Sequence, residues 1–253
     1  MTIPIGGLTW FFPAHNEAGN LVPLIDVAVA SFRKFGCPFQ LIIIDDGSTD
    51  STSELAKSLA AAYLEVHTVR HQVNLGYSKA LKTGFVQGLK SYDLWVGFCD
   101  ADRQFNLNDV ERFVTAAAAG EADVIIGYRE KRADGLLRLI TGRTWHWLTC
   151  FLLNIRVKDV DCGFKLFSRE VVAAVLPKLI GNQATISPEI LARAQRKGYT
   201  ICELPVEHLP RQVGEQSGLK LKVIIGSYVS LMKVAFDLYR TPKIAPKKTL
   251  KES

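Results

Sequence analysis

Short apolar runs alternate along the chain with longer stretches whose apolar residues recur at the helical period. Each apolar run is too short for a helix and is typical of a strand. The runs lie at residues 8–12, 41–44, 64–69, 93–98 and 123–127. The segments between them predict helices at 16–35, where Asn16 would be the cap, and at 51–62, 78–89 and 108–119. This alternation predicts an α/β fold with a mostly parallel sheet flanked by helices.

Polar residues follow three of the predicted strands at their carboxyl ends, where open parallel sheets bind ligands. Three such clusters on one rim exceed what solvated turns would supply by chance, so we interpret them as a binding site. The clusters are Asn16 with Glu17, Asp45 with Asp46, and Asp100 with Asp102.

The stretch 97–104 carries the most specific chemistry in the chain. Alternate residues of an extended chain point the same way, so Asp100, Asp102 and Gln104 can converge on one point. Two carboxylates this close repel each other unless a cation lies between them. Hard oxygen ligands without a nearby histidine suit Mg²⁺ or Mn²⁺, which are often shared with substrate phosphates. The stretch predicts a metal site, and a solvated turn is the alternative.

Composition narrows the class of partner. The 253 residues are 48% hydrophobic, which is enough for one large α/β domain, and the net charge of +6 favours an anionic partner. No nucleic-acid recognition motif accompanies the charge, so we expect no nucleic-acid partner.

Cysteine usage and the absence of targeting signals indicate the compartment. Five scattered cysteines without Cys-x-x-Cys spacing indicate a reducing compartment. We recognise no signal peptide and no apolar stretch of transmembrane length.

Four blocks occur in a fixed order: Pro13-Ala14-His15-Asn16-Glu17, Asp45-Asp46-Gly47-Ser48-Thr49-Asp50, Asn74-Leu75-Gly76-Tyr77-Ser78-Lys79-Ala80 and Asp100-Ala101-Asp102-Arg103-Gln104. Together they resemble the motifs of family 2 glycosyltransferases with the GT-A (Rossmann-like) fold. The later segments 159–170 and 187–211 resemble dolichol-phosphate mannose synthases and bacterial polyprenyl-phosphate glycosyltransferases. The resemblance covers residues 8–240, nearly the whole chain.

The resemblance implies a metal-dependent inverting glycosyltransferase. It would move a sugar from a nucleotide sugar, of the GDP-mannose or UDP-hexose type, to a polyprenyl or dolichyl phosphate. A phosphate monoester is largely dianionic at pH 7, since its second pKa is about 6, and such a nucleophile needs no general base. The resemblance also implies a transferase domain at 1–212. Apolar residues mixed with lysines predict an amphipathic helical region at 213–240, and a composition rich in proline and lysine predicts a basic disordered tail at 241–253.

Residue roles follow from the same resemblance. Asp100, Asp102 and Gln104 would hold Mg²⁺ or Mn²⁺. The catalytic residues would be Asp102, Arg129 and Arg211, and the acceptor phosphate would be bound by Arg129, Arg138 and Arg143. The nucleotide sugar would be bound by Pro13, Ala14, His15, Glu17, Asp46, Asn74, Asp100 and Ala101. Asp45 is expected to brace its loop rather than to contact the ligand.

Two segments, 136–153 and 219–239, mix bulky apolar residues with lysine and arginine. That mixture is typical of helices at a membrane surface, and core-covering or oligomer-forming helices are the alternative. We expect a cytoplasmic chain held peripherally at the cytoplasmic face of a membrane. A membrane-embedded partner protein or a homo-oligomer would be a further way to hold it there.

Two other functions stay open at this stage. One is a family 2 glycosyltransferase acting on a hydroxyl acceptor of a polysaccharide or glycan, for which Asp161 would be the candidate base. The other is a non-catalytic, membrane-associated protein that binds nucleotide sugars.

Overall fold

Strands and helices alternate in the computed structural model, which describes residues 5–130, 136–210 and 221–244, with the backbone alone at 136–140 and 221–224. The strands are β1 (Leu8–Ala14), β2 (Phe39–Asp45), β3 (Val66–Arg70), β4 (Trp95–Cys99), β5 (Val124–Arg129), β6 (Phe164–Ser168) and β7 (Ile201–Val206). The helices are α1 (Ala18–Phe32), α2 (Thr52–Ala62), α3 (Tyr77–Lys90), α4 (Val110–Ala118), α5 (Leu136–Leu153), α6 (Arg169–Val175), α7 (Ile186–Arg196) and α8 (Leu221–Arg240).

The seven strands form one sheet in the order β3-β2-β1-β4-β6-β5-β7. β1 pairs in parallel with β2 and β4, β2 with β3, and β5 with β7. Only β6 is reversed among these strands, and it runs antiparallel to both β4 and β5. The predicted α/β class with a mostly parallel sheet is confirmed. The carboxyl ends of β1, β2, β4 and β5 consequently lie on one rim.

The five strands expected from the apolar runs are present, and β6 and β7 are additional. Lys165 interrupts the apolar run of β6, and Glu203 and Pro205 interrupt that of β7. The prediction that Asn16 caps α1 is wrong, because the N-cap is Glu17. Asn16 has a φ of 57° and its side-chain oxygen accepts a hydrogen bond from the Thr49 amide at 2.8 Å. Asn16 therefore joins the first two rim loops.

Apolar clusters cover both faces of the sheet. Successive residues of a strand point to opposite faces, so Trp10 contributes to one cluster and Phe11 to the other. Trp10 packs against the rings of Phe32 and Phe164 at centroid distances of 5.7 and 5.1 Å. The second cluster includes Phe11, Phe85, Phe98 and Phe167. Because both faces are covered, polar chemistry is confined to the strand ends.

A third cluster joins α5, α7 and α8 through Leu153, Ala192, Leu231, Val234 and Leu238. Two of these helices, α5 and α8, also leave large apolar side chains exposed. We call these the exposed stripes: Trp147 and Phe151 on α5, and Ile225, Val229, Met232, Phe236 and Tyr239 on α8. In the described part of the chain, no helix has both the length and the apolar content needed to cross a bilayer.

Candidate active site

The two predicted metal carboxylates lie just beyond the end of β4. Tyr77, the first residue of α3, donates its hydroxyl to Asp100 Oδ1 at 2.8 Å. The Asp100 amide donates to the carbonyl of Gly163 at 3.2 Å. Burial and the nearby Asp102 carboxylate raise the pKa of Asp100 to about 7. Burial is the larger of these two causes, and the second agrees with the predicted repulsion between the carboxylates. Residues 101–103 form a turn in which Arg103 has a φ of 58°, so the chain here is not extended as the spacing argument assumed.

Asp102 and Gln104 are both buried in the turn that follows. Asp102 Oδ1 accepts the backbone amide of Gln104 at 3.1 Å. The side-chain nitrogen of Gln104 donates to the carbonyl of Leu209 at 3.2 Å, which ties the turn to the chain after β7. Ala101, between the two aspartates, is buried too and its side chain contributes to the core.

The donor set fits Mg²⁺ or Mn²⁺ held jointly with a phosphate ligand. Asp100 and Asp102 supply hard, negatively charged oxygens. Gln104 meets Asp102 through its backbone amide, and its role as a third ligand stays a prediction. Within the described residues, no group of three or more histidine, cysteine or acidic side chains could by itself hold a metal ion. A site with few protein ligands is what Mg²⁺ prefers when substrate phosphates complete its coordination.

The first rim loop follows β1. Pro13 and Ala14 are buried in the strand, whereas His15 is exposed beyond it. Glu17 is half-buried; its amide donates to Thr52 Oγ1 at 2.9 Å and its carboxylate accepts from Asn20 at 2.6 Å. The loop therefore exposes the His15 imidazole, while the backbone at Glu17 is held by Thr52 at the start of α2.

The second rim loop, after β2, contains two buried aspartates that hold backbone. Asp45 accepts the Ser48 amide at 2.9 Å and the Ser53 hydroxyl, as expected of a bracing residue. Asp46 accepts the amides of Leu75 at 2.9 Å and Gly76 at 2.8 Å. It also lies 2.7 Å from His71 Nδ1. The predicted donor residue Asp46 thus shapes the neighbouring loop, and its contact with the nucleotide stays a prediction.

The third rim loop carries Asn74, whose side chain is exposed and accepts the Gly76 amide at 2.9 Å. Gly76 has a φ of +91° and is the N-cap residue just before α3. A side chain there would be strained, which explains a glycine at this position. Asp46 and Asn74 therefore hold this loop at the start of α3, where Tyr77 donates to Asp100.

Arg129 ends β5 and forms a buried, two-pronged ion pair with Asp159. Its Nε and Nη2 atoms donate to the carboxylate at 2.7 and 2.9 Å, and its side chain is 9% exposed. The same turn reaches Asp100, because Gly163, four residues after Asp159, accepts the Asp100 amide at 3.2 Å. Arg129 and the predicted metal carboxylate Asp100 are therefore joined through residues 159–163.

The other predicted arginines are less defined. Arg143 is exposed on α5. Arg138 lies on the same helix, but its side chain falls outside the described residues, as does the whole of Arg211. Their assigned roles stay predictions.

Sequence reasoning missed four residues that complete the site: Tyr77, Asp159, Gly163 and Lys165. Tyr77 and the other three lie in the blocks quoted for the resemblance, so the signal was present. Their roles depend on contacts across the sheet, where β6 enters between β4 and β5.

Asp161, the candidate base for a hydroxyl acceptor, lies in the same turn. Burial and the nearby Asp159 raise the pKa of Asp161, and its carboxylate accepts a hydrogen bond from Trp145 of α5 at 3.3 Å.

Curated proteins similar to this chain are glycosyltransferases. The dolichyl-phosphate beta-glucosyltransferase of Saccharomyces cerevisiae is 28% identical over 255 residues, covering 91% of this chain and 72% of the relative. The one named ALG5C from Trichomonas vaginalis is 26% identical, covering 90% and 70%. An undecaprenyl-phosphate 4-deoxy-4-formamido-L-arabinose transferase of Pectobacterium carotovorum is 30% identical, covering 84% and 62%.

Solved structures share the fold. Glucosyl-3-phosphoglycerate synthase from Mycobacterium tuberculosis, crystallised with Mg²⁺ and uridine diphosphate, has a TM-score of 0.69 at 16% identity, covering 96% of this chain and 81% of that one. The complex of the same enzyme with Mn²⁺ and uridine-diphosphate-glucose has a TM-score of 0.65 at 16% identity, covering 94% and 80%. At this identity the likeness concerns the fold, and it confirms the GT-A prediction.

The family model for glycosyl transferase family 2 matches residues 9–176, which is more than half of the chain. That span contains all three rim loops, both metal carboxylates and the Arg129–Asp159 pair. The order of the four sequence blocks and the geometry of the rim agree with this match. This chain belongs to glycosyl transferase family 2.

Proposed function

We propose that this chain transfers a sugar from a nucleotide sugar to a polyprenyl phosphate at a membrane surface, with the help of a divalent metal ion. The observation that carries the proposal is the grouping of Asp100, Asp102 and Arg129 at one rim. Two carboxylates that can bind a metal ion, together with a guanidinium held in place by Asp159, suit a reaction between two phosphate-bearing substrates. The names of three relatives, which act on dolichyl or undecaprenyl phosphate, support the same acceptor class.

The reaction would be a direct displacement at the sugar carbon, with inversion. A bound Mg²⁺ or Mn²⁺ would neutralise charge on the departing nucleoside diphosphate. Asp100 and Asp102 would hold the ion, and Tyr77 keeps the Asp100 carboxylate oriented through a 2.8 Å hydrogen bond. Arg129, fixed by Asp159, would orient the anionic reactants. A phosphate nucleophile is already ionised at neutral pH, so positioning is the main task of these residues.

The exposed stripes of α5 and α8 would lie on the lipid. Trp147 and Phe151 are each 67% exposed and their rings stack at 5.6 Å, and Phe236 is 64% exposed. The exposed Arg143 and Lys233 lie on the same two helices. Apolar side chains beside basic ones match an anionic leaflet, to which each basic residue adds about 1 kcal/mol of attraction. This arrangement supports a peripheral position at the cytoplasmic face.

A transfer assay tests the reaction. Purified chain with Mg²⁺ or Mn²⁺ is offered radiolabelled UDP-hexoses and GDP-mannose, with and without a short polyprenyl phosphate. We expect label in the lipid, lost on chelation and in Asp102→Asn. Asp123→Asn is the matched control, because Asp123 lies just before the amino end of β5 and only holds Thr200. Donor binding without any label in the lipid would contradict the proposal.

A hydroxyl acceptor is the second candidate, favoured by the raised pKa of Asp161. Burial and Asp159 cause that shift, and a carboxylate with a raised pKa is a better proton acceptor than an ordinary one. If this reading holds, Asp161→Asn abolishes transfer to a hydroxyl acceptor, and no lipid phosphate is required. Transfer to polyprenyl phosphate that survives in Asp161→Asn would exclude it.

A further inference from the structure

We propose that Lys165 is a positioning residue for the transferase site, which it serves by fixing the turn formed by residues 159–163. Lys165 lies in β6 and makes no contact with solvent. The kinetic test of this role rests on the proposed function, whereas the Mn²⁺ titration does not depend on sugar transfer.

Every donor of the Lys165 ammonium has an oxygen partner. Nζ donates to the carbonyl of Val160 at 3.1 Å, to the carbonyl of Cys162, and to Ser187 Oγ at 2.6 Å. Ser187 Oγ in turn donates to the Val160 carbonyl at 3.2 Å. An ammonium has three donors, so its capacity is used fully. Lys165 therefore fastens two carbonyls of the 159–163 turn to the first turn of α7.

The 159–163 turn supports both halves of the active site. Gly163 accepts the Asp100 amide, and a Cβ added at Gly163 would overlap the Asp100 carboxylate. The α-carbon of Gly163 is thus a wall against which Asp100 is placed. At the other end of the turn, Asp159 holds the guanidinium of Arg129. A shift of the turn would move the metal carboxylate and the arginine together.

Packing alone does not explain a lysine here. Burying an ammonium is costly, and the amino end of a helix repels positive charge. Lys165 is fully buried and its ammonium contacts the first turn of α7. An apolar side chain of similar length would fill the same space without these costs. Burial lowers the pKa of Lys165, and the nearby Cys162, Asp159 and Asp161 oppose this shift by favouring the charged form. The cost of burial is offset by the three oxygen partners of the ammonium, two of which are carbonyls of the 159–163 turn.

The experiment compares Lys165→Met with Lys82→Met. Met keeps much of the length of lysine and removes its charge. Lys82 is a matched control because its Nζ also donates to a backbone carbonyl, that of Leu179 at 2.7 Å, but it does not contact the 159–163 turn. Thermal unfolding reports folding. Titration of Mn²⁺ in the presence of uridine diphosphate, followed by electron paramagnetic resonance, reports metal binding, and the transfer assay reports kcat and KM.

We expect Lys165→Met to fold and to lose about 10- to 100-fold in Mn²⁺ affinity and in kcat, the usual cost of removing a group that orients metal ligands. The control should keep both values. Ser187→Ala removes one partner of Lys165 and should lower Mn²⁺ affinity and kcat less, with no further loss when it is added to Lys165→Met. The double variant thereby distinguishes a shared role from two separate ones.

Mn²⁺ affinity and kcat equal to those of the control would overturn the proposal. If Lys165→Met does not fold, Ser187→Ala decides, and wild-type values in that variant would overturn it as well. If the natural chain binds Mn²⁺ but transfers no sugar, the proposed function fails while the Mn²⁺ titration still tests Lys165.

Discussion

Two neighbours fix the direction of the Asp100 carboxylate. Tyr77 donates to it from α3, and the α-carbon of Gly163 lies against it from the turn before β6. Neither neighbour is a predicted metal ligand, yet both determine where the carboxylate of Asp100, a predicted ligand, points. Small displacements of such a group are costly in catalysis, because the electrostatic contribution of a site depends on pre-arranged geometry.

A methyl group at Gly163 tests this arrangement. In Gly163→Ala the added carbon would displace the Asp100 carboxylate, so we expect transfer and Mn²⁺ affinity to fall by about tenfold or more. Gly226→Ala is the control, because its added carbon would meet nothing closer than 3.9 Å. Steady-state kinetics and Mn²⁺ titration are the measurements. Wild-type activity in Gly163→Ala would show that Asp100 is not held in this way.

The role of Asp46 can be separated from direct nucleotide binding. If Asp46 acts by holding the 74–76 loop, both Asp46→Asn and His71→Ala should raise the KM for the donor. We expect a rise of about fivefold for His71→Ala, which corresponds to ~1 kcal/mol of lost hydrogen bonding. His67→Ala, on the exposed side of β3, is the control and should change nothing. Kinetics at varied donor concentration measure the effect. A large effect of Asp46→Asn beside none of His71→Ala would favour direct contact with the nucleotide.

Sequence reasoning identified the rim of the site better than the contacts behind it. Asp100 and Asp102 were found because they directly follow an apolar run, which is a local pattern. The partner of Arg129 could not be found in that way, since Asp159 is 30 residues away and meets it only after the sheet has formed. Lys165 is harder still, because a lysine within a strand pattern normally indicates an exposed face.

At the scale of elements, sequence patterns failed to place two strands, β6 and β7, and β6 is the one that matters to the candidate site. Its reversal lets the 159–163 turn enter the rim between β4 and β5, so that Gly163 and Asp159 reach Asp100 and Arg129. Parallel strands are anticipated from βαβ alternation, whereas an inserted antiparallel strand has no such signal. A strand that escaped prediction therefore brings these contacts to the rim.

The second rim loop should make the fold sensitive to acid. Burial raises the pKa of Asp45, but hydrogen bonds from Ser48 and Ser53 outweigh it and lower the pKa below its usual value. A carboxyl with a lowered folded-state pKa contributes stability that is present above its unfolded pKa and lost as the pH falls through the folded value. We therefore expect Asp45 to contribute fully near neutral pH and to lose its contribution below about pH 4.

Urea unfolding at several pH values checks this expectation. Asp45→Asn should lower the free energy of unfolding at pH 7 by about 1–3 kcal/mol, because buried donors lose a charged acceptor. The difference from the natural chain should shrink as the pH falls below about 4. A difference that is constant from pH 7 to pH 3 would assign the stabilisation to another group.

At the scale of the whole molecule, α8 is joined to the sheet through α7. Arg193 is 4% exposed and pairs with Glu189 on its own helix at 2.7 Å and with Asp237 of α8 at 2.6 Å. Glu189 also accepts the amides of Ile180 and Gly181, and Gly181 accepts the hydroxyl of Ser78 on α3. The helix that carries one exposed stripe is thus connected by hydrogen bonds to the helix that presents Tyr77 to the active site.

The exposed stripes predict how the chain meets a membrane. Phe236→Glu places a negative charge in the α8 stripe, so we expect it to reduce binding to phosphatidylglycerol vesicles while the thermal stability stays unchanged, since Phe236 is 64% exposed. Leu64→Glu is the control, because Leu64 is an isolated residue that is 96% exposed just before β3. Co-sedimentation with vesicles measures the effect, and binding should weaken at high salt, since Lys233 and Arg240 would contribute about 1 kcal/mol each. Equal losses of vesicle binding in both variants would contradict a defined lipid-binding face. If Phe236→Glu leaves vesicle binding unchanged but removes a dimer seen in sedimentation, the stripe binds a second copy of the chain instead.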